Sequence, residues 1–143
     1  MNTNHDLPLQ RTLRIGKPPE RQTEMFKVAE ATLHAVEAAL VPGRTFGEAF
    51  DAHARTLDDV GFSEHRLNAC GYSLGATFSP NWMDWPMLYH SNPVEVTPGM
   101  VIFVHIIIFD SPRNLAMALG RTSLIGPHGA EILSHAPLRF VVD

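Results

Sequence analysis

Apolar residues recur every three or four positions through the first third of the chain, which is the spacing of one face of a helix. These residues are Met25, Phe26, Ala29, Leu33, Val36 and Leu40. Pro18 and Pro19 precede them and supply the fixed backbone angle of a helix start, while Pro42-Gly43 ends the stretch. The pattern therefore predicts a long amphipathic helix between these two breaks.

A second helix is indicated by a capping box at Thr45-Phe-Gly-Glu48. In such a box the threonine hydroxyl accepts a hydrogen bond from the third helical amide, and the glutamate accepts one from the amide of the cap residue. Four apolar residues then share one face: Ala49, Phe50, Ala54 and Leu57. Gly61 suits the left-handed turn that closes a helix, so we predict a helical hairpin.

Extended segments follow, separated by glycine and proline. Residues 100–109 are continuously apolar and rich in β-branched side chains, which predicts a central strand covered on both faces. Residues 11–16 alternate between polar and apolar and predict an edge strand. Further strands are predicted at residues 115–119, 122–125, 130–133 and 138–142. We expect an α+β fold, with the two helices packed on one face of a mostly antiparallel sheet.

Length and composition indicate one globular domain. The chain has 143 residues, of which 45% are hydrophobic and 18% charged, so residues 1–143 have enough apolar area for one core. The net charge of -4 and the absence of a basic patch argue against nucleic acid and membrane surfaces as partners.

Cys70 is the only cysteine, so neither an internal disulfide nor a thiolate zinc site can form. A free cysteine in such a chain is typically a small buried thiol. The first residues lack the apolar stretch of a signal peptide, and the longest apolar run is shorter than a membrane span. A soluble, cytoplasmic protein is expected.

Short glycine and proline motifs stand in a fixed order along the chain. They are Arg11-Thr12 with Gly16-Lys-Pro-Pro19, Pro42-Gly43 with Gly47-Glu48, Gly71-Tyr-Ser-Leu-Gly75, Pro98-Gly-Met100, and Gly129-Ala-Glu-Ile-Leu133. In this order they resemble the C-terminal half of the pita-bread family, which includes creatinase, methionine aminopeptidase, Xaa-Pro dipeptidase and ectoine hydrolase. The resemblance implies a two-helix hairpin on a mostly antiparallel sheet, with only the second of two pseudo-symmetric halves present.

The metallopeptidases of that family hold two divalent metals with two aspartates, one histidine and two glutamates. The resemblance places four of these five ligand positions at Pro8, Tyr72, His105 and Gly120, with Arg121 beside the last. None of them is a carboxylate, and two metal charges without anionic ligands are costly to bury. The eight histidines also lack the spacing of a metal site. We expect no metal and no cofactor.

His105 stands in the middle of the apolar run, where an imidazole without a hydrogen-bond partner is destabilising. It is either a satisfied core histidine or a site residue, and the sequence leaves both readings open. Tyr72 and Arg121 are expected to face the same space. The three residues would then form a neutral-to-positive pocket.

Aromatic residues are concentrated in residues 79–90, a stretch with little regular pattern. The candidates for a binding or interface surface are Trp82, Trp85, Tyr89 and His90. A loop whose rings only cover the core is equally consistent with this composition.

Three functions remain open. The favoured one is a degenerate, metal-free member of the family that serves as a binding or assembly subunit. The second is a metal-independent hydrolase of a small creatine-like or ectoine-like C–N substrate, and the third is a truncated Xaa-Pro peptidase. Half of a pseudo-symmetric sheet exposes edges and apolar surface, so we expect a homodimer. A small-molecule or peptide ligand is also compatible with the sequence.

Overall fold

The computed structural model describes residues 8–75 and 84–143. Helix α1 runs over Glu20–Ala39 and helix α2 over Phe46–Asp58. The capping box is formed at α2, because the Glu48 amide donates to Thr45 Oγ1 at 3.2 Å and the Thr45 amide donates to the Glu48 carboxylate at 2.7 Å. Both predicted helices are confirmed.

The described residues also form seven strands and two single-turn 3-10 helices, at Ser63–His65 and Ser111–Arg113. The bounds of the strands are β1 Leu13–Arg14, β2 Ala69–Leu74, β3 Met87–Tyr89, β4 Val101–Asp110, β5 Leu115–Gly126, β6 Gly129–Ile132 and β7 Val141–Val142. Five of them form an antiparallel sheet in the order β3-β2-β4-β5-β6. Strands β1 and β7 pair in parallel as a separate ribbon. The α+β fold, with two helices on a mostly antiparallel sheet, is confirmed.

The central strand β4 divides its side chains between the two faces of the sheet. Its core-facing residues have no solvent exposure and pack in one cluster with the helices: Ile102, Val104, Ile106 and Ile108. On the other face, exposure increases along the strand, from 3% at Phe103 to 47% at Phe109. The prediction that both faces of β4 are covered is therefore wrong near the C-terminal end of the strand. There Phe109 is exposed on the sheet face that points away from the helices.

Three strand predictions differ from the structure in length, and the one at 138–142 is reduced to Val141–Val142. Residues 115–125, predicted as two pieces, form one continuous strand with Gly120 in its middle. The glycine does not interrupt the strand, because its backbone pairs with His105 in regular register. The strand predicted at 11–16 is reduced to Leu13–Arg14, which pairs with β7 along one edge.

Two ion pairs fix α1 to the sheet. Arg21 donates to the fully buried Asp110 at 3.0 Å, and its guanidinium lies 4.1 Å from the ring centre of Phe62. Arg121 and Glu37 form the second pair, in which both side chains are nearly buried. In the part of the chain that the structure describes, neither helix is long and apolar enough to cross a membrane.

Candidate functional site

Three aromatic rings meet on the sheet face that points away from the helices. Tyr72 of β2 lies opposite Phe103 of β4, and His105 lies two residues further along β4 on the same face. The ring centres of Tyr72 and Phe103 are 5.5 Å apart, and those of Phe103 and His105 are 5.1 Å apart. We call these three residues the aromatic cluster.

Gly120 forms the floor beneath this cluster. It pairs with His105 across β4 and β5, so a side chain at position 120 would project onto the same face. A Cβ built there would lie 2.5 Å from Cζ of Phe103 and 3.0 Å from the carbonyl oxygen of Val104. The Phe103 ring therefore occupies the space that a side chain at 120 would need.

Sequence reasoning missed Phe103. Two-residue alternation along β4 indicates that it shares a face with His105, and that signal is present in the sequence. Its contact with Gly120 depends on the register between β4 and β5, which the sequence alone does not provide.

The N-terminal segment reaches the same part of the sheet. Gln10 and Gly120 exchange two backbone hydrogen bonds, of 3.1 and 3.0 Å. The hydroxyl of Thr122, which lies opposite Phe103, donates to the Pro8 carbonyl at 2.9 Å. The structure thus brings Pro8, Tyr72, His105 and Gly120 to one region around the Phe103 ring.

Arg121 does not belong to this region. Neighbouring residues of a strand point to opposite faces, so Arg121 points towards α1 while Gly120 faces the aromatic cluster. Its guanidinium donates twice to the Glu37 carboxylate. The expectation that Arg121 shares a pocket with Tyr72 and His105 is wrong, because α1 places a buried carboxylate on the opposite face.

The cluster is uncharged near neutral pH. Burial lowers the pKa of His105 and raises the pKa of the Tyr72 phenol. Nε2 of His105 is buried and has no hydrogen-bond partner among the described residues. The sequence left open whether His105 is a hydrogen-bonded core histidine or a site residue. The first interpretation requires a hydrogen bond that Nε2 does not make among the described residues.

A hollow of about 290 Å³ opens beside the cluster. It is lined by Leu67, Ala69, Gly71, Tyr72, Met87, His105 and Ile107. Its origin is an irregularity in strand pairing: between Gly71 opposite Val104 and Arg66 opposite Ile108, the β2 side carries one more residue than β4. Such an extra residue bends its strand away from the ladder and leaves space above His105.

The described loop candidates Trp85, Tyr89 and His90 do not form one surface. Trp82 lies outside the described residues. Trp85 is 63% exposed and its ring centre lies 6.0 Å from that of Tyr89, whereas the His90 ring turns to Asp51 of α2 at 2.9 Å. Met87, which belongs to this stretch but was not among the four candidates, is the described residue of the stretch that lines the hollow.

Cys70 is fully buried in the core, and burial raises the pKa of its thiol. The predicted buried thiol is therefore confirmed, and a reactive thiolate is not favoured at this position.

The described residues do not fit a dinuclear metal centre. Pro8 and Gly120 have no ligating side-chain atom, and Tyr72 presents a phenol with a raised pKa. In residues 8–75 and 84–143, no three His, Cys, Asp or Glu side chains are grouped so that they could hold a metal ion. A centre of two divalent cations needs anionic ligands to offset its charge.

Comparison with known proteins establishes the family. The sequence pattern of metallopeptidase family M24 matches residues 7–132. The chain belongs to this family. It is 26% identical over 132 residues to the Xaa-Pro dipeptidase of Pyrococcus furiosus, a match that covers 92% of this chain and 36% of that protein. It is 27% identical over 139 residues to the ectoine hydrolase of Halomonas elongata, covering 94% of this chain and 33% of that protein.

Solved structures show the same fold. The prolidase of Pyrococcus horikoshii superposes on 94% of this chain with a TM-score of 0.85 at 21% identity, and 38% of its own length is covered. The M24 chain thus spans about a third of the length of these relatives. The family predicted from the glycine and proline motifs is confirmed.

Proposed function

We propose that this M24 protein holds no metal pair and works as a binding or assembly subunit. The observation that carries the proposal is the Phe103 ring, which packs where a side chain at position 120 would be. Resemblance to the family's metallopeptidases assigns a metal-binding glutamate to this position. A glutamate at 120 therefore requires Phe103 to leave its buried place, where it is 3% exposed.

Electrostatics support the same proposal. The other family ligand positions carry a proline, a phenol and an imidazole, and burial disfavours the charged form of both titratable groups. Two divalent cations in this region would have no carboxylate from these positions to offset their charge. Burying such charge without partners is strongly unfavourable.

Metal-free hydrolysis of a small C–N bond is the second candidate. It is favoured by one observation at the edge of the hollow: Nε2 of His105 has no hydrogen-bond partner among the described residues, and a neutral imidazole can accept or deliver a proton. Such a substrate would be a creatine-like or ectoine-like compound.

We also propose that the protein associates with a second copy of itself. The parallel ribbon of β1 and β7 presents Leu13 and Val142 to solvent at 61% and 48% exposure, and Ile15, which follows β1, is 80% exposed. Exposed apolar side chains on an open ribbon favour association. Light scattering is expected to report a dimer, and a monomer at high protein concentration contradicts this part.

A cytoplasmic location remains a prediction from cysteine usage.

Metal analysis tests the main proposal. The purified protein is incubated with excess Mn²⁺ or Co²⁺, freed of unbound ions by gel filtration and analysed by mass spectrometry for metal content. Trace metal only, with no release of product from Xaa-Pro dipeptides, creatine or ectoine, supports the binding role. Two equivalents of retained metal overturn it. Turnover without retained metal supports the second candidate instead.

A further inference from the structure

The described residues that line the hollow beside His105 are uncharged or neutral side chains. Aliphatic or thioether side chains come from Leu67, Met87 and Ile107, and Tyr72 adds an aromatic wall. No Asp, Glu, Lys or Arg side chain is among the described residues that line it. Mostly apolar concave sites with few polar groups are typical of small-molecule binding, and an unpaired charge is disfavoured in them.

The arginines of two neighbouring segments, Arg121 and Arg11, bind groups outside the hollow. Arg121 is bound to Glu37 on the opposite face of the sheet. Arg11 donates to backbone carbonyls, including those of Gly120 at 2.8 Å and Ala136 at 2.9 Å. Neither arginine lines the hollow, so a carboxylate ligand would find no counter-charge among the described lining residues.

Two polar side chains remain among the described lining residues, the imidazole of His105 and the phenol of Tyr72. A neutral imidazole has one donor and one acceptor nitrogen, and a phenol can act in either role. An amide carries both a donor and an acceptor, so it can pair with His105 in either tautomer. Nε2 is shielded from solvent. The ligand would therefore hydrogen-bond to Nδ1, or to Nε2 after a 180° flip of the ring.

We propose that this hollow binds a compact, uncharged organic amide, with its apolar body against Leu67, Met87 and Ile107 and its amide group hydrogen-bonded to His105. This inference rests on the proposed metal-free character of the region, because a metal pair would select ligands that carry negative charge. The ligand class follows from the lining residues and from the size of the hollow, about 290 Å³.

Three probes of similar shape and different charge test the proposal: benzamide, benzoate and benzylamine. Each is titrated at pH 7.5 into the ¹⁵N-labelled full chain while the amide resonances of residues 67–72 and 103–107 are followed. Benzamide is expected to produce saturable shifts at these residues, with benzoate and benzylamine binding at least about tenfold more weakly. Equal affinity for benzoate, or shifts that do not saturate, would overturn the proposal.

Variants locate the binding. Ile107→Trp fills the hollow and is expected to abolish the benzamide shifts, whereas His34→Gln on the exposed side of α1 leaves them unchanged. Leu67→Trp, at a position that is 37% exposed, blocks the rim if Ile107→Trp fails to fold. Benzamide binding that survives both tryptophan variants contradicts the proposed site.

Mn²⁺ is titrated in parallel, with paramagnetic broadening at Tyr72 and His105 as the readout. Broadening at these residues refutes the metal-free function and, with it, the basis of the amide proposal. Absence of both broadening and benzamide shifts refutes the amide site alone and leaves the metal-free function standing.

Discussion

The ring of Phe103 lies directly over Gly120 on the adjacent strand, 2.5 Å from the point where a Cβ at residue 120 would be. The two residues are therefore interdependent: the large ring requires a glycine opposite, and the glycine leaves a gap that only a neighbouring side chain can fill. Position 120 is also where resemblance to the family's metallopeptidases assigns a metal-binding glutamate. The packing of Phe103 and the family's ligand position thus meet at one contact.

Replacement of Gly120 by alanine is expected to destabilise the fold. The added methyl group overlaps the Phe103 ring and approaches a carbonyl of β4, and overpacking of this kind costs about 1–3 kcal/mol. Urea unfolding of Gly120→Ala measures the loss, and Ala116→Ser at an exposed position of the same strand is the matched control. The double variant Phe103→Ala/Gly120→Ala should lose less than the sum of the single changes. Strict additivity would contradict the contact.

Acidic residues at the family positions should recover metal affinity only if Phe103 is also removed. The variant Pro8→Asp/Tyr72→His/His105→Glu/Gly120→Glu supplies ligands, but its glutamate at 120 has no room beside the Phe103 ring. Adding Phe103→Ala is expected to raise Mn²⁺ affinity by at least about tenfold, because the new carboxylates can then converge. Calorimetry on the two variants decides the matter. Equal Mn²⁺ affinities would show that the ring is not the obstacle.

The buried pair of Arg121 and Glu37 should be costly to break from one side. In Glu37→Gln the guanidinium keeps its charge in a nearly buried place without its partner, and such changes typically cost about 3–5 kcal/mol. The more exposed pair of Arg66 and Asp58 provides the comparison, and Asp58→Asn should cost less than about 1 kcal/mol. Denaturant unfolding measures both. Similar losses in the two variants would mean that the Arg121 pair is effectively solvated.

Local sequence signals were sufficient for the helices and for the fold class. The capping box at Thr45 specifies where α2 begins because its two hydrogen bonds involve residues only three positions apart. The apolar run of β4 likewise predicts a central strand from its own composition. These features depend on short-range chemistry, which the sequence shows directly.

The site depends on relations between distant strands, and there the sequence reasoning was incomplete. The side to which Arg121 points follows from register and from the position of Glu37, which is 84 residues away along the chain. The hollow arises from one extra residue opposite β4, and no composition signal marks that irregularity. Tyr72 and Gly120 were singled out only through the family resemblance, whereas His105 was also marked by its place in an apolar run.

Acid should destabilise the protein through His53. This side chain of α2 is 1% exposed, and neither of its ring nitrogens has a hydrogen-bond partner among the described residues. Burial, with a smaller contribution from the charge of Arg66, lowers its pKa from 6.5 to about 4. His53 therefore binds a proton below about pH 6.5 in the unfolded chain but only below about pH 4 in the folded protein. The free energy of unfolding consequently falls as the pH drops through this window.

Between pH 7 and pH 5 this single group should remove about 2 kcal/mol from the free energy of unfolding. His53→Leu replaces the buried imidazole with an apolar side chain and should abolish that share of the pH dependence. His34→Gln, at an exposed position, should retain it. Urea unfolding of the three proteins at both pH values gives the comparison. The lowered pKa of His105 acts in the same direction in all three proteins and cancels between them. If His53→Leu loses as much stability on acidification as the unaltered chain, the buried imidazole is not the source.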